Sequence, residues 1–147
     1  IKEVRSLSRS INKDYINDVK FEEFLEEELS KIQKTGFCEV LFEKEGEPVD
    51  FIEGDKKLVL IRLVQECLNN AMKHASPAMI AIKIKNQGGK MILRIEDDGE
   101  GFDMERVSQG LGLRNINSRV QAINGKVQID SGLGEGTRIE IELENDK

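Results

Sequence analysis

QECLNNAMKHA, residues 65–75, loads Gln65, Glu66, Asn69, Asn70, Lys73 and His74 onto the end of an otherwise apolar run. Asn is a mediocre helix former, and two in succession cost helix stability relative to Ala. The periodicity still reads as a helix. At roughly 100° per residue, Glu66, Asn70 and Lys73 fall within about 60° of one another. Ile61, Val64, Leu68, Ala71 and Met72 take the opposite side, which faces a core. The helix is expected over 56–74, capped by Asp55 and stopped before Pro77. Its polar stripe has a specific content. A carboxylate and a carboxamide offer oxygen ligands to a hard cation such as Mg²⁺, and an ammonium offers a point charge to phosphate. A plain solvated face is the competing reading.

Upstream of this helix, residues 1–17 have Val4, Leu7 and Ile11 at helical spacing. Residues 20–34 make a stronger helix, with Phe21, Phe24, Leu25, Leu29 and Ile32 as its apolar stripe and Gly36 as its stop. FCEVLFE (37–43) reads as a strand broken by EGEP, and VDFIEGD (49–55) as a short extended piece. Downstream the period changes. AMIAIKIK (78–85) and KMILRIED (90–97) are strands joined by an NQGG turn, with Met91, Leu93 and Ile95 on one face. A glycine-rich stretch runs from Gly99 to Gly112. A helix over 115–124 closes at Gly125, and KVQIDS and TRIEIELE form a final strand pair around GLGEG. The expected fold is an α/β two-layer sandwich, with helices on one face of a mixed, largely antiparallel sheet.

With 147 residues, 38% hydrophobic and 34% charged, the chain suits one soluble domain with its own core. It has no apolar run near the roughly 20 residues of a membrane span and no secretory pattern at its start. It begins at Ile1 rather than Met, so a piece of a longer protein is expected. The net charge of −6 argues against a nucleic-acid surface. FEEFLEEELSK reads as a solvated acidic helix face. Cys38 and Cys67 lie in no metal spacing and read as small core residues, in keeping with a reducing cytoplasm.

Three further segments carry chemistry. In DDGEGFD (97–103), Asp97 shares the parity of Met91, Leu93 and Ile95 and should point to the core side. A carboxylate there needs partners, such as the amino edge of an adenine, and Gly99 and Gly101 let a flat ligand approach the backbone. The alternative is a tight turn in which Asp97 caps backbone N–H groups. In GLGLRN (110–115), Gly110 and Gly112 precede a helix whose free N–H groups suit phosphate. This is neither G-x-G-x-x-G nor a Walker A pattern. GLGEGT (132–137) ends in Thr137 at the start of a strand, and alone it is only a hairpin loop.

The order of these four segments resembles the catalytic ATP-binding domain of sensor histidine kinases, in the GHKL (Bergerat-fold) superfamily. The 65–75 stretch is similar to the N box, DDGEGF to the first glycine box, GLGLRNI to the second and GEGT to the third. The likeness covers about 20–147. QECLNNAMKHA and the short lid around MERVSQ resemble the subgroup that pairs with NarL-type response regulators. The resemblance implies ATP and Mg²⁺ as ligands. Asn70 would coordinate the metal and Glu66 would hold or polarise a water. Lys73 and His74 would contact phosphate. Asp97 would accept the adenine amino group, with Gly99 and Gly101 admitting the base. Gly110, Leu111, Gly112 and Leu113 would offer backbone N–H groups, and Thr137 would support the adenine end.

No separate phenylalanine-rich box is present; Phe102 belongs to the first glycine box. The phosphoacceptor His is expected on a dimerisation domain outside this chain, with residues 1–18 as its C-terminal remnant and 19–147 as the catalytic domain. The parent is then expected to be homodimeric, with this domain in the cytoplasm, and the isolated chain to bind ATP without phosphorylating itself. A GHKL ATPase using Glu66 to activate water, an anti-sigma-type serine kinase and a non-catalytic binding module are the competing functions.

Overall fold

The computed structural model describes residues 19–49, 52–75, 79–100 and 113–144. In chain order these form α1 (Phe21–Thr35), β1 (Glu39–Gly46), α2 (Gly54–Asn70), β2 (Met79–Gln87), β3 (Lys90–Asp97), α3 (Leu113–Ala122), β4 (Lys126–Ser131) and β5 (Thr137–Glu144). The helix expected over 1–17 lies outside the described residues. The five strands make one sheet in the order β1-β2-β3-β5-β4. Only the β1–β2 pair is parallel. A parallel pair needs a crossover, and α2 lies on that connection.

The alternation read in the strands sets one face of the sheet. Ile80, Ile82 and Ile84 of β2, Met91, Leu93 and Ile95 of β3, and Ile139, Ile141 and Leu143 of β5 are all buried. The register stacks them across the ladders, with Ile82 beside Ile95 and Leu93 beside Ile141. Against this face pack the buried stripes of α1 (Phe21, Phe24, Leu25, Leu29, Ile32) and α2, together with Ile116, Val120 and Ile123 of the α3 region. The expected two-layer sandwich is therefore the observed one. The other sheet face is a lattice of opposite charges. Lys83 lies 3.8 Å from Glu43 and 3.5 Å from Glu96, Arg138 lies 3.6 Å from Glu96, and Arg94 lies 2.8 Å from Glu140. Such exposed pairs each contribute about 0–1 kcal/mol, so this face keeps the sheet wet on one side more than it stabilises it.

Several local expectations are corrected. Asp55 is not the cap of α2. The helix starts two residues earlier, Glu53 takes the extended N-cap position without a side-chain bond, and Asp55 sits in the first turn. There its charge opposes the positive end of the helix dipole. The α-helix ends at Asn70, and Ala71–Ala75 continues as a π turn rather than as α-helix to residue 74. A π turn advances fewer degrees per residue, so Lys73 is rotated off the stripe defined by Glu66 and Asn70. β1 runs on to Gly46 through the first residues of EGEP. Asn86 and Gln87 belong to β2, leaving Gly88 and Gly89 as the turn. α3 begins at Leu113, two residues before expectation. Gly36 ends α1 as read, in the left-handed region at φ 72°. The acidic run of α1 is not wholly solvated, because Glu22 Oε1 accepts the Val49 N–H at 3.3 Å.

Asn86 follows the core-facing parity of β2 and is only 5% exposed. Its Nδ2 donates to Glu47 O at 3.1 Å and Pro48 O at 2.8 Å, sewing the end of β1 to β2. Asn86→Ala leaves two carbonyls without their donor and is expected to cost about 2 kcal/mol, read as a lower denaturant midpoint at constant m.

Candidate functional site

β3 is apolar on its core face until its last residue, where the same parity delivers Asp97. Asp97 is half-buried, and its Oδ1 accepts the Gly99 N–H at 2.9 Å. Burial pushes its carboxyl above the usual carboxylate range. The Gly99 and Thr137 backbone N–H groups pull it back down, and neighbouring Asp98 pushes it up again. The turn-capping reading of Asp97 is therefore the observed geometry, and the carboxylate is partly desolvated as well. Asp98 points the other way and closes the corner. Its Oδ1 accepts the Met79 N–H at 2.9 Å, and its own N–H donates to Met79 O at 3.3 Å.

The ladder places Asp97 opposite Thr137, forty positions later. Ser131 Oγ donates to Gly136 O at 2.9 Å and lies 2.9 Å from Thr137 Oγ1. With the Ser131 hydrogen committed to Gly136, the Thr137 hydroxyl donates to Ser131 and keeps its lone pairs for a ligand or water. Gly136 has φ 78°, and a Cβ there would collide with the Asp97 carbonyl oxygen. Gly134 N–H donates to Glu100 O at 2.6 Å. The β4–β5 turn is therefore bonded directly to the turn after β3. An open cleft of about 360 Å³ lies at this end of the sheet, with Asp97, Ser131, Gly132, Glu135, Gly136 and Thr137 among its walls.

The second cluster is on the last turns of α2. Glu66 and Asn70 are half-buried and Lys73 is exposed. Four peptide steps separate Ala75 from Met79, a reach of at most about 14 Å. Met79 is tied to Asp98, so the end of α2 and the Asp97 turn share one edge of the domain. Glu66 is already engaged. Its Oε2 accepts from Arg119 Nη1 of α3 at 3.0 Å. Gly101, Gly110, Leu111 and Gly112 lie outside the described residues, as do the side chains of His74 and Leu113. Among the described residues no group of three His, Cys, Asp or Glu side chains is arranged to hold a metal.

Three contributors were not singled out in the sequence. Arg119 lies on a short helix, 53 positions from Glu66, and nothing local marks it. Ser131 reads as a strand end. Asp98 had one signal, its parity opposite to Asp97. The cysteines divide. Cys67 is 3% exposed, and burial, then Glu66, pushes its thiol up to about 12, so it is an inert core residue. Cys38, expected in the core and in a strand, precedes β1 and is only half-buried. Burial, then Asp98 and Asp97, raises its thiol.

A half-buried carboxylate among glycine turns, and the polar end of α2 at the same edge of the domain, make up the candidate site of this α/β sandwich. The chain belongs to the family of histidine kinase-, DNA gyrase B- and HSP90-like ATPases, which it matches over residues 55–147. Among curated proteins it is 39% identical over 93 residues to the sensor histidine kinase ComP of Bacillus subtilis, covering 61% of this chain and 12% of that protein. It is 36% identical over 91 residues to the signal transduction histidine-protein kinase/phosphatase DegS of the same organism, covering 59% of this chain and 24% of DegS. The chain thus spans less than a quarter of these relatives' length. Its fold is shared with the histidine kinase domain of a blue-light activated histidine kinase from Erythrobacter litoralis EL346, at TM-score 0.68 and 24% identity over 88% of this chain and 63% of that one. It is shared too with the Acinetobacter baumannii histidine kinase AdeS, at TM-score 0.68 and 18% identity over 99% and 77% of the two chains.

Proposed function

We propose that this chain is the ATP-binding catalytic domain of a two-component sensor histidine kinase, delivering the γ-phosphate of ATP to a His on a separate dimerisation domain for relay to a response regulator. The observation that carries the reading is Asp97: a half-buried carboxylate at the end of β3, steadied by two backbone N–H groups, with a Cβ-free approach at Gly136 beside it. It suits the amino edge of adenine, with Gly99 and Gly101 admitting the base and Thr137 supporting it. Lys73, His74 and the N–H groups of Gly110, Leu111, Gly112 and Leu113 would neutralise and position the phosphates. Phosphoryl transfer asks little covalent chemistry of such a domain beyond placing the γ-phosphate in line with the attacking imidazole.

Mg²⁺ fits the donor set in one way only. With no three-carboxylate cage among the described residues, the ion would rest on phosphates and water plus the Asn70 amide oxygen and the Glu66 oxygen left by Arg119, a sparse protein share typical of Mg²⁺. When bound, it would offset the charge of the phosphate oxygens. The finer parts of the reading are a NarL-type response regulator as partner, a homodimeric parent with this domain in the cytoplasm, and residues 1–18 as the end of the dimerisation helix. The pairing of Glu66 with Arg119 favours the kinase over a hydrolase that would use Glu66 to activate water.

Calorimetric titration with ATP and ADP, with and without Mg²⁺ and with GTP as control, tests the reading. Saturable binding selective for adenine supports it, and a folded chain that binds neither ATP nor ADP sinks it. The same titration against pH carries a sign. Because the folded carboxyl of Asp97 lies above its unfolded value of about 3.9, its ionisation weakens the nucleotide-free fold as pH rises through that window. Adenine binding needs the ionised form as acceptor. Affinity is therefore expected to fall on acidification at a pH above the ordinary carboxylate range, where an unshifted Asp would still be charged.

A further inference from the structure

In an ATP site Glu66 could serve as a base for water or be held by a cation, and in this structure a cation holds one of its oxygens. A carboxylate four residues before the metal-binding amide is placed to take a proton from water. In that reaction the water oxygen bonds to the γ-phosphorus, the proton passes to the carboxylate, and the bond to the β–γ bridging oxygen breaks with its electron pair leaving on ADP. A kinase that must hand its phosphate to an imidazole gains nothing from this. In this chain Oε2 of Glu66 is held at 3.0 Å by Nη1 of Arg119, and the pair is only partly exposed, at 28% for the Glu66 side chain and 43% for Arg119. Arg119 stands on a firm platform. Ile116 and Val120, on either side of it along α3, are both fully buried. Packing of α3 therefore fixes the backbone from which the guanidinium reaches, and the ion pair draws the carboxylate toward α3.

We propose that Arg119 is an acceptor-specificity residue: by engaging Glu66 it keeps that carboxylate from serving as a base for water, so that bound ATP is preserved for the His acceptor. Arg119 acts through Glu66 and is a positioning residue, not a catalytic one. The inference rests on the ATP-binding reading. It also assigns a function to a contact between α2 and α3 that neither helix shows alone.

The test is phosphate release by this chain at saturating MgATP, with ATP affinity and melting temperature measured on the same samples. Arg119→Ala is expected to raise the turnover about fivefold, the population factor of a half-exposed ion pair, at little change in ATP affinity. Arg119→Lys, which keeps a cation within reach, is expected to stay within about twofold of the parent. Adding Glu66→Gln to Arg119→Ala should remove the gain. Arg119→Met keeps the apolar stem and serves in place of the alanine variant if that one fails to fold. A gain in turnover is not something misfolding produces. A folded, ATP-binding Arg119→Ala or Arg119→Met with unchanged or lower hydrolysis overturns the inference alone, as does a gain that survives Glu66→Gln. So does a loss of ATP affinity without a gain, which would make Arg119 a phosphate ligand instead. A wild-type chain that binds no ATP overturns the functional reading, and this inference with it.

Discussion

Asp97→Asn is expected to weaken ATP and ADP binding about 100-fold while leaving the chain folded. The carboxamide is nearly the same shape, and its oxygen can still accept the Gly99 N–H that Asp97 accepts at 2.9 Å. What changes is the other half of the group. An ionised Asp offers acceptors only, so both the backbone turn and an adenine amino group can be satisfied at once. Asn satisfies one and turns an NH₂ toward the other. Losing a charge-assisted hydrogen bond and leaving a buried donor against a donor together amount to about 3 kcal/mol, which is the hundredfold. The substitution also removes a carboxylate whose burial raises its pKa, so the nucleotide-free protein should not lose stability at neutral pH. Calorimetry and a melting curve on one preparation separate the two effects. An unaltered affinity would remove Asp97 from the site.

Gly136→Ala is expected to be the most damaging single methyl in the β4–β5 turn. The residue sits at φ 78°, which strains any L side chain, and its Cβ would meet the Asp97 carbonyl oxygen and lie 3.1 Å from Asp98 Cα. Neither is the loose end of a side chain. Both belong to the backbone that holds β3 against β5 and Asp98 against Met79. Strain and displacement together are set at about 3 kcal/mol, or roughly 10 °C in melting temperature for a domain of this size, with ATP affinity falling because Asp97 moves. Gly134→Ala is the internal control. It has the same φ of 78° but nothing within 4 Å of the new Cβ, so it should lose only about 1 kcal/mol. Equal effects at the two glycines would mean that the close approach to Asp97 does not matter.

The reading of single elements from the sequence succeeded wherever one period governed a segment. Met91, Leu93 and Ile95 announced a buried face, and the same alternation placed Asp97 at its end before any fold was known. The stripe of α1 was legible for the same reason, since five apolar residues at helical spacing can be buried only together. Where two local rules competed, the sequence was ambiguous. Asp55 is a good cap by type, yet Glu53 took the position. The periodic pattern of residues 65–75 also could not show that the helix widens after Asn70. A π turn is stabilised by what the end of the helix meets, not by its own side chains.

Composition and periodicity alone determined the class of fold, the buried face of each element and the chemical kinds of the candidate site residues. These are properties of short stretches, and the burial of apolar surface acts on each stretch separately. The tertiary structure alone decided the partners: Thr137 opposite Asp97, the Gly136 backbone under it, Ser131 turning the Thr137 hydroxyl, and Arg119 holding Glu66. Each of these pairs is separated by tens of residues, except Ser131 and Thr137, which meet across one hairpin. Their geometry depends on strand register and helix packing, which arise only when all the apolar faces are buried at once.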